Sequence, residues 1–204
     1  MKVYTQGEVD FFCGVYAVLN ACRKVICKDY HFSYYGGCAF FRHLMQTVID
    51  AGRMVELLHH GTSLDLMKKL LDTAVAYIFE KTGIRLVYDF PYEKTTETVT
   101  KIVAELKEKI RAEAGACIFW VHDTEVDEHW TTVTDVKAGR LKLMDSYNTA
   151  YIPVKTCLWL PQKGRCHQRQ RAHLFYPRVP KGKTHLMKQG IIFISKAKEL
   201  DKKD

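Results

Sequence analysis

No apolar run in this chain approaches the roughly 18 residues a membrane-spanning helix needs, so no transmembrane segment is expected. There is no internal repeat, no Gly-rich phosphate loop and no dinucleotide fingerprint, which leaves no nucleotide-binding signature to read. Cysteine occurs seven times. It never forms a CxxC pair, and an odd number in a chain of this size argues against a disulfide framework. Most of these thiols then read as small buried hydrophobes in a reducing compartment. The apolar stretch 11–21 lacks the basic flank of a signal peptide, because Glu8 and Asp10 stand where that flank belongs. Cytoplasmic residence is the expectation, although delivery by a specialised secretion system would leave no mark of this kind.

What is present is ordinary for a globular protein. The chain has 204 residues, 47% hydrophobic and 26% charged, enough to bury one core. Disorder, collagen and low-complexity architectures are excluded. The net charge of +8 is unevenly spread. Residues 155–204 carry 13 Lys or Arg against 3 Asp or Glu, and the first 154 residues are close to neutral. The expectation is a single domain over 1–204, with a basic, irregular segment at 155–189 inside it.

Hydrophobic spacing predicts helices first. Val15, Val18, Leu19, Cys22, Val25 and Ile26 mark one that starts near Cys13, and Phe40 to Ile49 mark a second, stopped at Gly52. Ser63 caps a third that ends at Gly83, and Val99 to Ile110 form a fourth. Ile84 to Tyr88 reads as a short strand. After Gly115 the pattern turns to strands: the continuous apolar run Ala116 to His122, a hairpin from His129 to Met144, and a last strand at Gly190 to Ser195. This order predicts an α+β fold, N-terminal helices packed on a mostly antiparallel sheet.

Three residues in this order carry a chemical argument. Cys13 falls where irregular chain becomes helix. A thiol there meets the positive end of the helix dipole and free amide donors, which favour the thiolate and an adjacent oxyanion. His129 opens a strand, and Asp145 follows the next one. A hairpin of that length returns its end beside its start, so Asp145 can hold the His129 imidazole in one tautomer. Trp130 is expected to shield that pair from water. Gln6, seven residues ahead of Cys13, can offer a neutral N–H donor to complete an oxyanion hole. Asn148 competes with Asp145 for the third place, and His122 with His129. Asp135 lies about 20 Å along the strand from His129 and is excluded unless the strand bends.

The series Gln6, Cys13 in DFFCGVYAVLNAC, His129 in HWTTVTDV and Asp145 in LMDSYN resembles the papain-like cysteine peptidases. It looks nearest to the bacterial double-glycine leader peptidases, the bacteriocin-processing branch. The resemblance implies a papain-like fold with the nucleophile at the start of the first helix. It implies Cys13 as nucleophile, His129 as general base and acid, Asp145 as the orienting residue and Gln6 as oxyanion donor. It covers the first helix and residues 116–148 well. Departures are Ser146 where that branch usually has Pro, the basic region after Lys155, and the lack of room for a propeptide ahead of Gln6, so a secreted zymogen is not expected.

The function expected is a thiol hydrolase that cleaves a peptide or protein through an acyl-enzyme, with no metal or organic cofactor. The same triad also suits a papain-like acyltransferase, transglutaminase or deamidase. A third expectation is a binding module, in which the basic residues from Lys163 to Lys188 meet an acidic protein or other polyanion. The adjacent His59 and His60, and Cys166-His167, lack the spacing of a metal site.

Overall fold

A computed structural model describes residues 3–5, 11–123, 127–160 and 179–198. The first helix, α1 (Cys13–Ile26), is covered on nearly every side, since all its residues but Tyr16 and Lys24 are buried. It lies against α2 (Tyr34–Asp50) and α4 (Leu64–Thr82). Each of these begins at a serine whose hydroxyl accepts a backbone amide, Ser33 from Gly36 and Ser63 from Leu66. Gly83 closes α4 in the left-handed conformation, with φ 72°. Between them lies a short helix, α3 (Met54–His60), which periodicity does not reveal because seven residues span too few turns. Helix α2 starts several residues before Phe40, the first apolar position read for it. The pair Gly36-Gly37 disguises that start, and the space it leaves is used: a Cβ on Gly37 would lie 1.9 Å from the Tyr4 hydroxyl.

The strands are β1 (Leu86–Asp89), β2 (Ala116–Asp123), β3 (Asp127–Lys137), β4 (Arg140–Met144), β5 (Tyr151–Pro153), β6 (Cys157–Trp159) and β7 (Thr184–Lys196). They form one sheet in the order β1-β7-β2-β3-β4-β5, with β6 also against β7. Every pairing is antiparallel except β6 with β7. The fold is thus α+β, helices on a mostly antiparallel sheet. Strands β6 and the start of β7 fall inside the stretch expected to be irregular. β6 is only three residues long, and Thr184 to Lys188 mixes polar and apolar residues without a clean alternation.

Helices cover both faces of this sheet. Ala116, Ile118, Ile192 and Ile194 pack with α1, α2 and α4. Their neighbours Cys117, Phe119, Ile191 and Phe193 pack with α5 (Val99–Ala112) on the other side. A strand buried on both faces has no polar alternation, which is why the ACIFWVH run is continuous. The β2–β7 register shifts opposite Trp120. There Gly190 admits the indole, since a Cβ on Gly190 would sit 2.3 Å from the Trp120 Cβ.

Tyr4, ahead of α1, is held by side chains of α1. Asn20, fully buried, accepts from the Tyr4 amide at 3.1 Å and donates to the Tyr4 carbonyl at 3.0 Å. The Arg23 guanidinium stacks on the Tyr4 ring 3.9 Å from its centroid. Asn20→Ala strands both backbone groups, so it is expected to lower unfolding free energy by about 1–3 kcal/mol, measurable by denaturant titration against wild type.

Candidate active site

Cys13 is the first residue of α1. Phe12 before it offers no side-chain cap, no acidic residue lies in the first turn, and Arg23 and Lys24 occupy the last. The positive end of the helix dipole therefore falls undiluted on the Cys13 thiol and amide. Two contacts fix the helix start in space. The Thr132 hydroxyl on β3 donates to the Ala17 carbonyl at 2.9 Å, deep in the interface. Thr62, before α4, packs on Gly14 so closely that a Cβ there would lie 2.4 Å from its hydroxyl. Gly14 is therefore required for close approach. Cys13 lines a cleft, although only 7% of its surface is exposed.

His129 and Asp145 come together as the hairpin spacing requires. The β3–β4 register sets Thr132 opposite Met144, so the residue after β4 meets the start of β3. His129 Nε2 and Asp145 Oδ1 are 2.5 Å apart, and the two residues are 4% and 3% exposed. The other carboxylate oxygen accepts from the amides of Tyr147 at 3.0 Å and Thr149 at 3.2 Å. Asn148 lets the chain fold back over the carboxylate by taking a left-handed φ of 62°. With Nε2 engaged by Asp145, the imidazole turns its buried Nδ1 elsewhere. That atom makes no hydrogen bond, and Cys13 is near enough to act electrostatically on the ring.

The electrostatics follow from this packing. Burial opposes a charged imidazole, but the Asp145 carboxylate and Cys13 outweigh it and raise the His129 pKa from 6.5 to about 9. Burial likewise pushes the Asp145 carboxyl up. The His129 hydrogen bond and charge, with the Thr149 amide, more than reverse that and hold it below its ordinary value. The ring packed on His129 is that of Tyr147, at 4.8 Å between centroids. Trp130, expected in that place, points to the other face of β3. Its indole N–H donates to the Thr62 carbonyl at 2.7 Å, and its ring stacks on Trp120 at 4.9 Å.

The cleft that opens on Cys13 is lined by Thr62, Trp120, Glu128, Trp130 and Tyr147, among others. Thr62, Trp120, Glu128 and Tyr147 escape sequence reasoning, because they come from three separate parts of the chain. The one available signal for Tyr147 is its place two residues after Asp145. The chemistry this arrangement can do is proton transfer between a thiol and a carboxylate-backed imidazole, beside a helix N-terminus able to receive negative charge.

Of the competing residues, Asn148 is exposed and serves the turn. Asp135 faces Arg111 at 3.6 Å, away from His129. His122 sits between Glu128 and His185 in register. Gln6, Cys166-His167 and the basic residues Lys163, Arg165, Arg169, Arg171 and Arg178 lie outside the described residues. Burial pushes the thiols of Cys22 and Cys157 up to about 12, and that of Cys117 also upward, which keeps these three protonated. Among the described residues no group of three or more His, Cys, Asp or Glu is arranged to hold a metal ion, and no helix is long and apolar enough to cross a membrane.

Folding raises the His129 pKa, so the protonated ring stabilises the fold fully below about pH 6.5, and that contribution is lost as pH rises through 9. Asp145, held low, contributes above its ordinary pKa and loses that contribution as pH falls through its folded value. Asp145→Ala is expected to drop the His129 pKa well below 9, read by NMR titration of the imidazole. The same change is expected to cost about 3 kcal/mol of stability, because it leaves a buried partner unpaired.

No protein-family model, no curated protein and no solved structure matches this chain.

Proposed function

We propose that this protein is a papain-like cysteine peptidase that cleaves a peptide or protein bond through Cys13, His129 and Asp145. One observation carries the reading. A buried imidazole stands between the thiol of Cys13, at the uncapped start of a helix, and a carboxylate 2.5 Å away that is itself held by two backbone amides. Structural histidines are commonly satisfied by one hydrogen bond to backbone or water. This one is backed by a buried carboxylate on one nitrogen and makes no hydrogen bond on the other, while Cys13 helps to raise its pKa. The α+β architecture, with a nucleophile-bearing helix packed on the strand that carries the histidine, also supports a papain-like reading.

In this scheme His129 takes the thiol proton on Nδ1, and the thiolate attacks the carbonyl carbon. The Cys13 amide and the helix start receive the oxyanion, with Gln6 the further donor that the family resemblance suggests. The imidazolium then gives its proton to the leaving amine. Water, activated by the neutral ring, hydrolyses the thioester and returns Cys13. Asp145 keeps the tautomer and supports the imidazolium without itself taking the proton. A His129 pKa of about 9 keeps the ring protonated through neutral pH, ready to act as the acid, so activity should fall as the pH rises past that value.

The test is turnover of a mixed peptide pool by the full chain, followed by mass spectrometry. Cys13→Ala and His129→Ala are each expected to reduce cleavage by roughly 10⁴-fold or more while circular dichroism stays unchanged. Asp145→Ala should leave a slower enzyme. Full activity in Cys13→Ser would overturn the scheme, because a hydroxyl here has no thiolate to offer. Deamidated or amine-linked products in place of new termini would assign the same acyl-enzyme to deamidation or acyl transfer.

A further inference from the structure

The tip of the β3–β4 hairpin carries charge that the Cys13 site does not use. Arg140 opens β4 about 17 Å along the strand from Asp145. Lys137 and Arg140 are directly opposite each other across the turn, and Lys142 is opposite Tyr151 on β5. Residues opposite in register, or two apart on one strand, share a sheet face, so these side chains stand together. Leu141 and Ile152, between them, turn to the other face and pack with α5. Lys155 is brought to the same tip, because the Val154 amide before it donates to the Gly139 carbonyl at 2.9 Å. Lys137, Arg140, Lys142, Tyr151 and Lys155 are all exposed.

Among the described residues, none of these four cations has a carboxylate within ion-pair distance. Asp135, opposite Lys142 in register, instead faces Arg111 at 3.6 Å and accepts from the Val136 amide at 2.8 Å. Like charges set directly opposite each other weaken a strand pair, and no carboxylate relieves Lys137 against Arg140. Protection of the sheet edge does not explain the cluster. The edge strand is β5, and its residues are Tyr151, Ile152 and Pro153, where the proline already removes a donor. The charges sit one and two strands further in.

The ring among them narrows the partner. The Arg140 guanidinium lies over Tyr151, 4.4 Å from its centroid, and 47% of Tyr151 is exposed. Cations neutralise phosphates, and an exposed aromatic ring gives a base a surface to stack on. A duplex keeps its bases stacked inside, and a run of carboxylates has no base to offer. A membrane anchor would need a set of apolar side chains that this face lacks.

We propose that Lys137, Arg140, Lys142 and Lys155, with Tyr151, form a binding surface for single-stranded nucleic acid. The surface is independent of the peptidase reading. None of its residues belongs to the triad or to the basic run from Lys163 to Lys188.

The test uses the full chain and a fluorescein-labelled oligothymidylate, with binding read by fluorescence anisotropy over a range of salt. Neutralisation of one phosphate by each cation gives a slope of log K against log salt of about −3. Removing two cations together, in Lys137→Gln with Arg140→Gln, should make that slope shallower by about 1.4 and weaken binding at least about tenfold at low salt. Tyr151→Leu should weaken binding at least about fivefold and leave the slope unchanged. A duplex of the same length and polyglutamate are expected to bind more weakly and to be indifferent to Tyr151→Leu. Circular dichroism checks that each variant keeps its fold. Affinity and slope unchanged in the double variant would put the binding elsewhere on the chain and overturn the surface, as would no binding by wild type. Duplex or polyglutamate bound as tightly as the single strand would overturn the choice of partner.

Discussion

A carboxylate and an imidazole that are 3% and 4% exposed each pay several kcal/mol in lost hydration, and the site depends on how that cost is offset. Asp145 recovers it through His129 on one oxygen and two backbone amides on the other. Those amides are available only because residues 145–149 fold back on themselves at the end of β4, with Asn148 in the left-handed region. The turn, the carboxylate and the imidazole are thus one unit. Its other end is the Cys13 thiol, which holds its place because α1 is anchored to β3 by Thr132 and pressed by Thr62.

The two faces of β3 divide the labour. His129, on one side, meets Asp145 and Tyr147. Trp130, on the other, holds the α3–α4 connection through the Thr62 carbonyl and stacks on Trp120. Thr62 therefore touches both the nucleophile's helix and the strand of the histidine. The site's geometry is set by close contacts that tolerate no extra atoms, at Gly14 against Thr62 and at Gly190 against Trp120. Cores packed at crystal-like density transmit such constraints rather than absorb them.

Bond cleavage needs the thiol, the imidazole and its carboxylate, which together carry one negative charge whether the proton sits on sulfur or on the ring. The basic character of the last quarter of the chain lies elsewhere in sequence and has no counterpart among the described lining residues.

Much of this was legible in the residues alone. Apolar spacing located α1, α4, α5 and the β2–β4 strands, and the caps Ser63 and Gly83 marked their ends, because helix and strand periods are local properties. The sixteen-residue separation of His129 and Asp145 also predicted their meeting, since antiparallel pairing makes hairpin return a matter of counting. Short elements such as α3, β5 and β6 were not legible, because three to seven residues carry too little pattern. Which aromatic would cover His129 depended on strand alternation and on the turn after Asp145, and it was Tyr147 rather than Trp130. The cleft itself, which brings Thr62 against the β2–β3 pair and Tyr147, was decided only by tertiary packing. Sequence determines local periodicity and hairpin register; contacts between remote segments are set by how whole helices and strands fill space against one another.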